Sequence, residues 1–226
     1  MQFKARISEI FLSVQGEGAD AGFPCVFVRF HGCHVGCPFC DTKQNKDAYT
    51  SMEVDQILDV VHSLTKDTKV DRVCITGGEP FEQSDALEKL VHVLGKHGWE
   101  VSIETSGTVP VDEGRVASIL KRGDHKLTLS PKRPNVPLDY LKAADQIKFL
   151  VGAEPSEDDK LYTKTMQYIV SQQLVRLIQA SVCFQPIDYG PFQPEKNRAA
   201  IDRAFQMCCR HNARMSCQIH KHLGMR

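Results

Sequence analysis

Val73-Cys74-Ile75-Thr76-Gly77-Gly78-Glu79-Pro80 carries a short apolar, β-branched run straight into a glycine pair, an acid and a proline. Just beyond it, Leu87, Leu90, Val91 and Leu94 recur at i, i+3, i+4, i+7, one face of a helix. Gly98 then stands where a helix C-cap belongs. Strand, turn and amphipathic helix make half of a β-α-β unit, and the pattern continues in both directions. Upstream, Val26-Phe27-Val28-Arg29-Phe30 reads as a strand, and Val54, Ile57, Leu58 and Val61 as a helix face, with Thr50 and Glu53 as its capping box. Downstream come the strands Val101-Ser102-Ile103, Leu127-Thr128-Leu129, Ile147 to Val151 and Val182-Cys183-Phe184. A weaker helix spans Val116 to Leu120. Ile201, Ala204, Phe205 and Cys208 mark a last one before a short strand near Met215. Strands separated by helices pair in parallel through right-handed crossovers. The expected class is α/β, as an open sheet or a partial barrel.

Composition narrows the function. With 226 residues, 42% hydrophobic and 25% charged, the chain is an ordinary globular protein able to bury a core as one domain, residues 1–226. Basic and acidic residues balance at 28 each, so the basic footprint of a nucleic-acid binder is missing. No apolar run approaches the roughly 20 residues of a membrane helix, and Met1 to Glu9 lacks the apolar region of a signal peptide. Nine cysteines without a secretory signal point to a reducing, cytoplasmic setting and to metal ligation or buried thiols.

The chemistry is expected at the carboxyl ends of the strands, where parallel α/β folds build their sites. After Ile75 comes Thr76-Gly77-Gly78-Glu79-Pro80; after Ile103, Glu104-Thr105-Ser106-Gly107; after Leu129, Ser130-Pro131-Lys132; after Phe184, Gln185-Pro186-Ile187-Asp188. The Pro-rich stretch 131–137 and Pro186, Pro191 and Pro194 fall in the same positions and read as site loops.

Cys33-His34-Val35-Gly36-Cys37-Pro38-Phe39-Cys40 is the strongest single signal. Burial as plain core thiols suits Cys25, Cys74, Cys183, Cys208, Cys209 and Cys217, which lie in apolar strand or helix patterns. It suits the trio poorly, because Gly36 and Pro38 place them in a loop. Structural zinc with His34 as fourth ligand is the other alternative, but no second CxxC knuckle exists. An iron–sulfur cluster held by three thiolates, with one iron open, fits best.

This CxxxCxxC spacing resembles the radical S-adenosylmethionine superfamily. There the open iron is chelated by the methionine moiety, and a deoxyadenosyl radical follows. Gln15-Gly16-Glu17-Gly18, Arg29, Cys33 to Thr42, Thr76 to Pro80, Glu104 to Gly107, Ser130 to Lys132, Gln185-Pro186 and His220-Lys221 occur in one order across nearly the whole chain. That set resembles the 7-carboxy-7-deazaguanine synthase family of the queuosine precursor pathway.

The resemblance implies an incomplete TIM-type barrel, usually homodimeric, and a carbon–nitrogen lyase. By analogy, hydrogen is abstracted from C6 of 6-carboxy-5,6,7,8-tetrahydropterin, the ring contracts with loss of ammonia, and S-adenosylmethionine is regenerated. Cys33, Cys37 and Cys40 match the ligands of a [4Fe-4S] cluster. Phe39, Cys40, Asp41, Gly78, Ser130, Pro131, Lys132, Gln185, Pro186, Ile187 and Asp188 match S-adenosylmethionine contacts, Gly-Gly-Glu being the family's grip on the ammonium. Thr42 matches a Mg²⁺ ligand, and Val14, Gln15, Gly16, Arg29, Thr76 and Arg226 match substrate contacts. Arg29 offers a fork of donors for the pterin carboxylate, and Glu17 an acceptor for its amine. An electron donor such as a flavodoxin or ferredoxin is implied; nucleic acid and membrane partners are not.

His34, His97 and His125 are expected at the surface. Two rival functions stay open: a glycyl-radical-type activase acting on a protein, and a zinc-stabilised module without catalysis.

Overall fold

The structure is a computed structural model that describes residues 3–40, 42, 48–120, 125–154, 157–172 and 181–225. Among them, strands β1 (Lys4–Val14), β2 (Pro24–Phe30), β3 (Thr50–Glu53), β4 (Arg72–Gly77), β5 (Glu100–Thr105), β6 (Lys126–Leu129), β7 (Gln146–Val151), β8 (Ser181–Pro186) and β9 (Arg214–Met215) form one sheet. Their order is β3-β1-β2-β4-β5-β6-β7-β8-β9, parallel from β2 through β9 and antiparallel at the β3-β1-β2 edge. The helices are α1 (Val54–Thr65), α2 (Ser84–Lys96), α3 (Arg115–Leu120), α4 (Leu138–Ala143), α5 (Glu157–Ser171), α6 (Pro194–His211) and α7 (Ile219–His222). No described helix is long and apolar enough to cross a membrane.

The periodicities locate the core faces of α1 and α2. Val54, Ile57, Leu58 and Val61 are buried on α1, as are Leu87, Leu90, Val91 and Leu94 on α2. Each such side chain removed from water contributes about 1.5–3 kcal/mol. At the end of α2, Gly98 has φ +82°, Trp99 N donates to Leu94 O at 3.1 Å and Gly98 N to Gly95 O at 3.1 Å. This is a Schellman termination, which requires a left-handed residue at that point.

Two local expectations shift. Thr50 does not cap α1. Its backbone is taken up by β3, where Thr50 pairs with Ile7 and Glu53 with Lys4. The capping box lies three residues later, with Glu53 as N-cap and Gln56 returning the bond. On α6 the buried face is Ala200, Ala204, Met207 and Cys208, while Ile201 and Phe205 are 36% and 59% exposed. The helix packs through its small residues close against β8, which rotates the two large ones outward.

The strands alternate across the sheet, and the alternation builds the site. In β5, Val101, Ile103 and Thr105 are buried against the helices, whereas Glu100, Ser102 and Glu104 take the opposite face. The same face carries Arg29 of β2, Thr76 of β4, Thr128 of β6, Lys148 of β7 and Gln185 of β8, all on the wall of one cavity. Arg29 pairs in register with Thr76, and Lys148 with Cys183. The concave side of the sheet is thus polar toward its carboxyl end.

Candidate active site

Glycines bring the loops together. Gly77 has φ +134°, and a Cβ there would lie 2.2 Å from Phe30 O; one on Gly78 would lie 1.8 Å from Gly32 O. Only residues without a side chain let the turn after β4 meet the start of the cysteine loop. Two bonds hold the contact: Gly78 N to Phe30 O at 2.9 Å and Glu79 N to Gly32 O at 2.8 Å.

Glu79 is spent on this scaffold. Its carboxylate is 1% exposed and accepts from Thr105 Oγ1 at 2.6 Å, Ser106 N at 2.8 Å, Ser106 Oγ and Phe81 N at 3.2 Å. Glu79 itself does not line the cavity. It straps the end of β4 to the end of β5, and the backbone of Gly77 and Gly78 faces the cavity instead.

The cavity holds about 470 Å³ at the carboxyl ends of the parallel strands. Its lining includes Cys33, Cys37, Phe39 and Cys40, all three cysteines being free thiols. Burial pushes the Cys37 thiol up, and the Lys132 ammonium pulls it back. Burial likewise lowers the proton affinity of Lys132, whose Nζ donates to Ser130 Oγ at 2.8 Å. The lining also includes Phe11, Phe27, Arg29, Thr42, Glu17, Glu104 and Lys148. Arg29 Nε donates to Glu9 Oε1 at 2.7 Å and its NH1 group to Thr42 Oγ1 at 3.1 Å. The register shift of β1 between Ile7 and Glu9 sets Glu9 opposite Arg29. Glu104 accepts from Thr76 Oγ1 at 3.0 Å and Gln15 Nε2 at 3.3 Å.

Electrostatics at the floor turn on one ion pair, Lys148 Nζ with Glu17 Oε2. Burial alone would raise the Glu17 carboxyl, but Lys148 and hydrogen bonds from Lys148, Gln218 and Gln185 outweigh it and bring it to about 2. Burial would lower Lys148; Glu17 and Glu104 hold it above the ordinary lysine value instead. The Glu17 carboxylate thus stays anionic beside Lys148, in a cavity whose lining also carries Arg29, Lys132 and Lys221.

Residues 27–161 match the model of the radical SAM superfamily. The chain is 36% identical to the 7-carboxy-7-deazaguanine synthase of Methanospirillum hungatei over 97% of its own length and 86% of the relative's. The chain belongs to the 7-carboxy-7-deazaguanine synthase family. The Chlorobaculum tepidum synthase is 33% identical over 96% of this chain and 93% of its own. The crystal structure of QueE from Escherichia coli superposes with a TM-score of 0.69 at 26% identity, covering 95% and 94% of the two chains. The architecture is accordingly the partial barrel of the superfamily. In the 7-carboxy-7-deazaguanine synthase family that barrel implies a [4Fe-4S] cluster and S-adenosylmethionine as cofactors. The donor set fits, with three free thiols of one loop facing one cavity beside a lysine ammonium.

Against this family background, the expected residues gather closely. Val14, Gln15, Arg29, Cys33, Cys37, Phe39, Cys40, Thr42, Thr76, Gly78, Ser130, Lys132 and Gln185 to Asp188 all line the cavity. Pro131 is buried between two lining neighbours. Gly16 faces the His220 ring. Asp41 and Arg226 lie outside the described residues. His220 and Lys221 are docked onto the site, with Lys221 Nζ 2.8 Å from Asp188 Oδ2. His34 is half-exposed and pairs with Glu82 through Nδ1 at 2.5 Å. His97 is exposed, but both ring nitrogens of His125 are shielded from solvent, contrary to expectation. Cys25, Cys74, Cys183 and Cys208 are buried, whereas Cys209 and Cys217 are exposed. Cys209 follows the buried Cys208 on α6 and so points about 100° away.

Lys148, Gln218, Phe11 and Phe27 escaped the sequence reading as site residues, and Glu104 was read only within the Glu104–Gly107 strand-end segment, with no role of its own. For Lys148 the signal was present: a charge at the centre of Gln146-Ile147-Lys148-Phe149-Leu150, an otherwise apolar strand, must face something polar.

Proposed function

We propose that the chain converts 6-carboxy-5,6,7,8-tetrahydropterin to 7-carboxy-7-deazaguanine with loss of ammonia, acting as a single domain over residues 1–226. The carrying observation is one cavity lined both by three free thiols and by the Arg29 guanidinium with the Glu17 and Glu104 carboxylates. The pterin presents the converse, a carboxylate and a flat, donor-rich edge. Arg29 receives the carboxylate. Glu17 and Glu104 accept from the ring's N–H groups, with Val14, Gln15, Gly16, Thr76 and Arg226 completing the contacts.

Cys33, Cys37 and Cys40 hold the cluster. Phe39, Cys40, Asp41, Gly78, Ser130 to Lys132 and Gln185 to Asp188 would hold S-adenosylmethionine. When bound, the cluster and S-adenosylmethionine supply the reducing electron and the abstraction of hydrogen. The chain's own task is placement: its loops and docked tail shut water out and fix the reacting carbon. Thr42 offers an oxygen to Mg²⁺, which offsets substrate charge. A one-electron protein of the flavodoxin or ferredoxin kind serves as donor, and the active form is a homodimer.

The test is anaerobic incubation of the reconstituted protein with the tetrahydropterin, S-adenosylmethionine, Mg²⁺ and a reductant. Formation of the deazaguanine acid supports the reading. Reductive cleavage of S-adenosylmethionine without pterin turnover would favour an activase, and purified protein with zinc but no iron or sulfide a non-catalytic module.

A further inference from the structure

Lys148 sits between Ile147 and Phe149, both buried in the core, and its own side chain is 7% exposed and faces the cavity. Its ammonium pairs with Glu17, which lies in the turn between β1 and β2. The second Glu17 oxygen accepts from Gln218 Nε2 at 2.6 Å. Gln218 opens the C-terminal tail, and the next residue, Ile219, donates its N–H to Gly16 O at 3.0 Å. Gln218 Oε1 accepts from Lys221 Nζ at 3.0 Å, and Lys221 continues to Asp188 in the loop after β8. Bonds therefore run from a central strand, through the N-terminal turn, to the tail, and back to the sheet's far loop.

Lys148 is the member of this series that a strand holds on both sides, while Glu17, Gln218 and Asp188 stand outside the strands. A carboxylate in a loop has many orientations in reach. A buried cation beneath it selects one, since either charge unpaired in that position is costly. A second track, Gly18 N to Ser216 Oγ at 2.9 Å and Ser216 Oγ to Gln185 Oε1 at 2.8 Å, anchors the tail one step earlier and meets the first at Gln185, which also bonds Glu17.

We propose that Lys148 is a positioning residue: it holds Glu17, and through it Gln218, and so clamps the tail from Gln218 onward over the substrate end of the cavity. The inference rests on the pterin reading of that cavity for its kinetic part only.

The experiment compares Lys148→Met, Lys148→Arg and Gln218→Ala in the reconstituted enzyme. It reads KM for the pterin, KM for S-adenosylmethionine, iron content, and backbone hydrogen exchange of the tail. Lys148→Met is expected to raise the pterin KM about tenfold, the worth of one charge-assisted bond. The S-adenosylmethionine KM and iron content should hold. Exchange should quicken from Gln218 to Met225 and stay slow at Ser216, which has its own anchor. Lys148→Arg should rescue both changes, and Gln218→Ala should reproduce the exchange pattern without disturbing the core. In the double variant the two effects should not add, because they break one series. Unchanged tail exchange in Lys148→Met, or full additivity with Gln218→Ala, would overturn the clamp. So would an equal rise in both KM values with loss of iron. Should Lys148→Met fail to fold, Glu17→Gln with Gln218→Ala decides by the same readouts. If no variant, nor the parent, turns over pterin, the substrate reading fails while tail exchange still judges the clamp.

Discussion

The imidazole of His220 lies so close over Gly16 that a Cβ on the glycine would come within 1.7 Å of its Nδ1. The N-terminal turn and the C-terminal tail meet there without room for a methyl group. Gly16→Ala should therefore expel the His220 ring and raise the pterin KM. Thermal stability should change little, since the ring is only partly buried. Steady-state kinetics beside a melting curve check this. A large loss of Tm with unchanged KM would show the contact to be structural only.

Glu79→Gln tests the strap between β4 and β5. The amide nitrogen would face a donor, either Ser106 N–H or the Thr105 hydroxyl, in a fully buried place. A stability loss of about 2–3 kcal/mol is expected, measured by chemical denaturation. Equal stability would show the strap to be dispensable.

The Glu17–Lys148 pair gives the protein an acid-sensitive element. The Glu17 carboxyl lies at about 2 in the folded protein against an ordinary 4.5. Its contribution is therefore complete above about pH 4.5 and drains away as pH falls toward about 2. Lys148 is raised, so its contribution is complete below its ordinary value and fails only in strong alkali. Unfolding midpoints across the acid range should fall more steeply for the parent than for Glu17→Gln. Parallel curves would remove Glu17 from the acid transition.

Cys33→Ala, Cys37→Ala and Cys40→Ala should each lose iron and all turnover, because each deletes one of three anchors at the cavity. Cys208→Ala and Cys209→Ala should keep a full iron complement. Iron and sulfide analysis after anaerobic purification checks both sets. A Cys33→Ala protein with full iron and parental activity would sink the cluster assignment.

Thr42→Val removes the hydroxyl that accepts from Arg29 and keeps the branched shape. Stimulation by Mg²⁺ should weaken, with S-adenosylmethionine binding intact, read from titrations of activity against magnesium. Identical magnesium dependence in the two proteins would leave Thr42 as a partner of Arg29 alone.

Local pattern carried much of the fold. The faces of α1 and α2 were legible because a buried stripe on one helix repeats every three to four residues whatever lies opposite. β1 and β3 were missed. Their antiparallel pairing joins Lys4–Ile7 to Thr50–Glu53 across the intervening chain, and no short window contains both partners. The misread α6 has the same cause. Whether Ile201 and Phe205 face in or out depends on how closely Ala200 and Ala204 let the helix approach the sheet.

For the site, the sequence by itself determined which loops carry chemistry. Three thiols at CxxxCxxC spacing and a glycine pair behind a strand are short-range features, and their positions at strand ends follow from the β-α alternation. Tertiary structure alone decided which polar groups face one another across the cavity. Glu17 and Lys148 are 131 positions apart, and Glu17 and Gln218 are 201 apart. Tertiary structure also turned Glu79 away from the cavity and the tail onto it. Such outcomes depend on the facing direction of every strand and on the closure of the sheet, and a charge reveals its partner only once the chain has buried both.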